Sequence, residues 1–280
     1  MTDREMIRFG YTPFPDEVYL LHGLLHDEID REDYDFQFTT ADIESLSDSC
    51  ENGNLDVSCI SARAYANLQH NFDIATTGAR FGNKRGPVIA TREELTAEQI
   101  RNGTIAVPDK LDTATLLLQL FAGPDVDFRV VPDSRITKQV EQGNFDGGII
   151  IDKTYLTIEQ TSLTASLDLG EWWHEQTGLP VPLGICILNR DLSNPRSITR
   201  ILHRSVQLTF SDPDNAFEEA KKADPGRDPK RLRTFLDQYV NERSLQMNSS
   251  GRRAIQTLFD QAYSKGIIDH PVNPVFIDMN

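Results

Sequence analysis

The chain has 280 residues, 43 acidic against 28 basic, and a formal net charge of −15. That length supports one large core or two smaller ones, and the acidity excludes a nucleic-acid surface, which needs a basic patch to neutralise phosphates. Residues 1–20 hold no continuous apolar run, and no stretch approaches the ~18 apolar residues of a membrane span, so neither a signal peptide nor a membrane contact is expected.

In chain order, MIRFGYTPFP reads as a short strand and a proline-punctuated turn, followed by the helical run DEVYLLHGLLHDEI. NLDVSCISARAYANL reads as a strand entering a helix, and GPVIAT as another buried strand. From Thr104 the pattern becomes regular: TIAVP strand, DTATLLLQLFAG helix, FRVV strand, DSRITKQVEQG helix, DGGIIID strand. Two βα units ending in a third strand have the spacing of a parallel sheet. PVPLGICILNRD is a proline-bounded apolar strand. The helices SITRILHRSVQLTF, DPKRLRTFLDQYVNERS and SGRRAIQTLFDQAYSKG follow, apolar at i, i+3, i+4 and charged opposite.

These late helices need a sheet to cover, and the N-terminal strands supply one. The expected organisation is a larger discontinuous α/β lobe, 1–90 and 185–280, with a smaller α/β lobe, 91–184, inserted into it. Two crossings describe a clamshell, and the cleft between its lobes is the default ligand site, because strand C-termini and helix N-termini point into it.

The three cysteines, Cys50, Cys59 and Cys186, are widely spaced and odd in number. They suggest neither a metal pattern nor a disulfide framework, and a reducing cytoplasm is the plain expectation. The six histidines show no metal spacing; His22 and His26 share a helix face without a third ligand, so no metal site is expected.

Candidate binding groups come from strand ends and helix starts. In PDKLDTATLLLQL, Asp112 or Thr113 caps a helix, which leaves the N–H groups of Thr113, Ala114 and Thr115 to meet an anion; an ordinary capped helix is the alternative. Ser61, ending the strand in VSCISARAY, offers a hydroxyl to a ligand or acts as an N-cap. TGARFGNKRGPV gathers Arg80, Lys84 and Arg85 in a glycine-rich loop, either an anion contact or a surface turn. DLGEWWHEQTGLPVPLG places both tryptophans side by side, one to pack inward and the other free to serve as a platform. NFDGGIIIDKTYL reads as a strand buried on both faces that delivers a carboxylate, Asp152, to its end.

Taken together the chain resembles the 1,4-dihydroxy-6-naphthoate synthase family of the futalosine route to menaquinone. The resemblance rests on YTPFPDEVYLLHGL, LDVSCISARAY, GPVIA, IAVPDKLDTATLLLQLF, FDGGIIIDK and, most specifically, DLGEWWHEQTGLPVPLG, and covers nearly the whole chain. It implies a two-lobed, type II periplasmic-binding-protein-like fold, in a superfamily that also holds chorismate dehydratase. It further implies a lyase that takes a carboxylate-bearing cyclic futalosine derivative, abstracts a proton and releases the sugar-derived carbons, with no cofactor. The family's catalytic histidine falls on Asp152 and the following glutamate on Lys153. Substrate-binding positions fall on Cys59, where the family carries lysine, and on Ser61, Thr113 and Ala114, with Arg80 and Lys84 as candidate anion contacts. The Asn-Asp-Thr of the family's opening is Asp16, Glu17 and Val18 here. A reference Asp is about 2.6 pKa units less basic than a His, roughly 3.5 kcal/mol in proton affinity. Three functions are therefore weighed: the lyase with Asp152 as general base, a binding protein for a small carboxylate without catalysis, and chorismate dehydratase-like chemistry, which the tryptophan motif disfavours.

Overall fold

The computed structural model describes residues 4–150 and 161–279. In chain order these form β1 (Glu5–Tyr11), α1 (Pro15–Leu25), β2 (Tyr34–Thr40), α2 (Ile43–Glu51), β3 (Val57–Ser61), α3 (Tyr65–Leu68), β4 (Phe72–Ala75), β5 (Arg80–Gly82), β6 (Val88–Thr91), α4 (Ala97–Asn102), β7 (Ile105–Val107) and α5 (Thr113–Ala122). There follow β8 (Phe128–Val130), α6 (Asp133–Glu141), β9 (Gly147–Ile150), β10 (Thr164–Asp168), α7 (Leu169–Thr177), β11 (Val181–Asn189), α8 (Pro195–Ser211), α9 (Pro213–Ala223), α10 (Pro229–Tyr239), α11 (Glu242–Leu245), α12 (Ser249–Ser264) and β12 (Phe276–Ile277). Among the described residues no helix is long and apolar enough to cross a membrane.

The chain divides into two units. The first comprises Met1–Phe81, Pro182–Arg252 and Asn273–Asn280; the second comprises Gly82–Val181 and Arg253–Val272. The units' bounds differ from the expected 1–90 with 185–280 and 91–184, most of all in two places. β6 pairs with β9 and β10 in the second unit's sheet rather than closing the first lobe, because a four-residue apolar run does not reveal its strand partner. Residues 253–272 also belong to the second unit, although their helical periodicity is continuous with what precedes them.

In the first unit the sheet order is β12-β4-β11-β3-β1-β2. β1 runs parallel to both β2 and β3, and β11 returns antiparallel between β3 and β4. Ile7, Phe9, Val57 and Leu188 from these strands meet Leu21 and Leu24 of α1 and Ile198, Ile201 and Leu202 of α8 in one core. α1 and α8 approach closely because Gly23 lacks a side chain, where a Cβ would stand 2.9 Å from Leu208. Ser205 completes the crossing by accepting the Leu24 N–H at 3.1 Å and donating to the Leu20 carbonyl at 3.0 Å.

In the second unit the sheet order is β10-β6-β9-β7-β8, with β7 parallel to β8 and β9 as the βα spacing predicts. α5 is apolar nearly all round and correspondingly buried from Thr113 to Leu118. The paired glycines before the isoleucines have a packing reason. A Cβ on Gly148 would overlap Ile136 and crowd Val140, so α6 lies directly on the strand.

One expectation about covalent structure is overturned. Cys59 and Cys186 form a disulfide across β3 and β11, where they are register partners with Cα atoms 4.1 Å apart. Their separation of 127 residues hides the pairing from any local spacing rule. Cys50 is the remaining free cysteine; it is buried, and burial pushes its thiol up to about 12.

Candidate functional site

The first unit presents its polar groups where β1 and β3 end. Ser61 closes β3, 4% exposed, and its hydroxyl accepts the Ala64 N–H at 3.0 Å. That bond closes the turn leading to α3, but the residue at the N-cap of this helix is Ala64, so Ser61 is not the helix cap weighed for it. Cys59, two residues earlier, is corrected as a substrate-binding side chain. Its sulfur is bonded to Cys186 and lies in the hydrophobic core beside Val57 and Leu188.

Arg80 is buried, and its guanidinium pairs with the Glu17 carboxylate and lies 3.4 Å from Asp16. Glu17 also accepts the Thr12 N–H at 2.7 Å. Burial pushes the Glu17 carboxyl up; the Arg80 charge opposes the rise and the Asp16 charge adds to it. The Tyr11 hydroxyl is raised as well, by burial first and then by the Glu17 charge. As an anion contact Arg80 is therefore already committed to carboxylates of its own unit. No sequence spacing signals this cluster, because Arg80 stands 63 positions from Glu17.

In the second unit the start of α5 is capped by Asp112, whose carboxylate accepts the Ala114 N–H at 2.7 Å. The expectation that this N–H is left for a ligand is corrected: the two-residue reach of an N-cap side chain ends on it. Thr113 and Ala114 are both fully buried. Thr115 is held from the same loop, its hydroxyl donating to the Asp109 carbonyl at 2.6 Å. Lys84 is exposed in the loop between β5 and β6. Asp152 and Lys153 lie outside the described residues; β9 is described as far as Ile150.

The tryptophan motif is built for packing. Asp168 caps α7 and accepts N–H bonds from Gly86 at 3.0 Å, Gly170 at 2.8 Å and Glu171 at 3.0 Å. Burial raises its carboxyl, and these bonds oppose the rise. A Cβ on Gly170 would overlap the backbone of Arg85 and Gly86, so only glycine permits the approach. Trp173 is fully buried and donates its indole N–H to the Pro180 carbonyl at 3.0 Å. Trp172 meets Phe121 edge-on at 5.6 Å, with the Arg101 guanidinium over the same Phe ring at 4.9 Å. Gly178 ends the helix in the left-handed conformation at φ 69°. His174 is half-buried, with Nδ1 3.3 Å from the Leu179 carbonyl.

A polar cavity of about 470 Å³ in the same unit, lined in part by Arg92, Glu93, Glu98 and Asp146, contains none of the candidate residues. Arg92 is engaged there by the Val140 and Phe145 carbonyls. His22 and His26 lie with ring centroids 4.8 Å apart and their planes tilted by 43°, and they pair with Glu28 and Glu219, respectively. Among the described residues no group of three or more His, Cys, Asp or Glu is arranged to hold a metal ion.

The model of the menaquinone biosynthesis family matches residues 7–264. The chain belongs to that family. Its relatives include the 1,4-dihydroxy-6-naphthoate synthase of Thermus thermophilus, 30% identical over 276 residues, covering 98% of this chain and 100% of the relative. The synthase of the same name from Streptomyces coelicolor is 28% identical over 272 residues, covering 94% and 95%. A crystal structure of a protein from Archaeoglobus fulgidus superposes with a TM-score of 0.87 at 33% identity, over 94% of this chain and 98% of that one. The alkanesulfonate-binding protein of Xanthomonas axonopodis, bound to MOPS, gives a TM-score of 0.74 at 14% identity, over 99% and 100%. This member of the menaquinone biosynthesis family thus has the α/β fold of the periplasmic solute-binding proteins.

Proposed function

We propose that the protein is a lyase of menaquinone biosynthesis resembling 1,4-dihydroxy-6-naphthoate synthase, acting on a cyclic futalosine derivative in the cytoplasm; the compartment is read from the biosynthetic relatives, since the Cys59–Cys186 bond removes the cysteine argument for it. The observation that carries this reading is similarity to two proteins of that name along nearly their whole length. Asp152 follows the last described residue of β9 by two positions and is assigned as the general base. A carboxylate in that role needs its basicity raised by burial to approach that of a histidine. Ser61 and Thr113 are assigned to substrate binding, with the dipole of α5 behind Thr113. The ligand is a small carboxylate.

A second reading, a binding protein for such a ligand without turnover, is favoured by the aspartate at the histidine position. Incubation of the purified protein with cyclic dehypoxanthinylfutalosine, followed by mass spectrometry, separates the two. The lyase releases a dihydroxynaphthoate, and Asp152→Asn abolishes release while preserving the circular dichroism spectrum. Saturable binding without product from the unmodified protein establishes the second reading instead.

A further inference from the structure

The Arg80 cluster lies beside Ser61 in the first unit. Gly184 on β11 is the register partner of Ser61 on β3. Directly opposed residues of an antiparallel pair project from the same face of the sheet. A Cβ on Gly184 would overlap the Arg80 guanidinium, so that guanidinium occupies the face from which the Ser61 side chain projects. From there it reaches Glu17 and Asp16 at the start of α1. Glu17 in turn holds the N–H of Thr12, the first residue after β1. The contacts run from the sheet, through Arg80 and Glu17, to the turn between β1 and α1.

We propose that Arg80 is a positioning residue: its guanidinium fixes the Thr12–Glu17 turn against the Ser61–Gly184 rung and so sets where the Ser61 hydroxyl stands relative to that turn. The proposal rests on the reading of Ser61 as a substrate contact. A planar fork resting on a glycine can address two carboxylates at once, which a lysine ammonium on a flexible stem does not reproduce. A buried ion pair is weak evidence of a purely stabilising role, because desolvation offsets much of the attraction. Deleting the charge would also leave Glu17 buried without its partner. Informative variants therefore keep the cation.

The test uses Arg80→Lys, which retains the charge without the fork, and Gly184→Ala, which displaces the guanidinium and alters no charge. Hydrogen exchange of the ligand-free protein is followed over residues 10–18, and steady-state kinetics are measured with cyclic dehypoxanthinylfutalosine. Both variants are expected to exchange faster at Thr12 and to raise KM about tenfold while kcat changes less than about threefold. If the unmodified protein binds without turnover, Kd replaces KM. Unchanged exchange in both variants overturns the proposal, as do kinetic losses that merely follow the unfolding midpoint. If the unmodified protein neither binds nor converts the compound, the functional reading has failed, and the exchange measurement alone decides the role of Arg80.

Discussion

Asp112 accepts the backbone N–H of Ala114, so the negative charge at the start of α5 is the protein's own. Replacement of an N-cap carboxylate by Ala costs about 1 kcal/mol. Asp112→Ala is accordingly expected to lower the thermal midpoint by about 2–4 °C. The same variant frees the Ala114 N–H for an external anion, so affinity for the substrate carboxylate is expected to rise if α5 binds it. Calorimetry and a ligand titration read the two effects separately.

Thiol counting checks the Cys59–Cys186 bond. Native protein should show no reactive thiol, because Cys50 is buried with its thiol pushed up to about 12. Denatured protein should release one thiol per chain, and three after reduction. Reduction should cost about 2–4 kcal/mol in folding free energy, since the bond closes a long loop in the unfolded chain. Three thiols in unreduced denatured protein would exclude the disulfide.

Acid sensitivity should trace in part to Asp56. Burial pushes its carboxyl up, but hydrogen bonds from the Arg8 side chain and N–H, together with the Arg8 charge, hold it below the usual range. A carboxyl depressed on folding contributes stability that is fully present above its unfolded pKa, near 3.8, and is lost as pH falls through the folded value. Asp56→Asn is therefore expected to lower stability at pH 7 by about 1 kcal/mol, given a partly exposed Arg8. Denaturant unfolding at several pH values should show that difference shrinking below pH 4.

The tryptophan motif makes a structural prediction. Gly170→Ala forces a methyl group into the backbone of Arg85 and Gly86, and overpacking of this kind costs about 1–3 kcal/mol. Its effect should appear in the denaturation midpoint. Substrate affinity of the fraction that remains folded should be unchanged.

Much of the architecture is legible in the residues. β7, α5, β8, α6 and β9 follow from periodicity and turn chemistry, because local backbone preference and one-sided burial set those elements. The Asp168 cap and the left-handed Gly178 are local signals of the same kind. The site is less legible, since its groups are defined by what lies opposite them. Arg80 reads as a free cation until Glu17 and Asp16 arrive from another part of the chain. Asp112 left two roles open, and its hydrogen bond to Ala114 supplies the capping one, whereas Ser61 holds the Ala64 N–H in the turn before α3 without capping that helix.

Cys59 marks the same division. Strand alternation in VSCIS assigns its side chain to one face of β3 but says nothing of what crosses that face. The antiparallel return of β11 brings Cys186 opposite. Periodicity comes from neighbours within a few residues, whereas pairing across strands depends on register between distant segments. Fold class and most elements therefore follow from composition and pattern. Which charges are neutralised, which N–H groups are occupied and which cysteines are joined are settled by long-range packing.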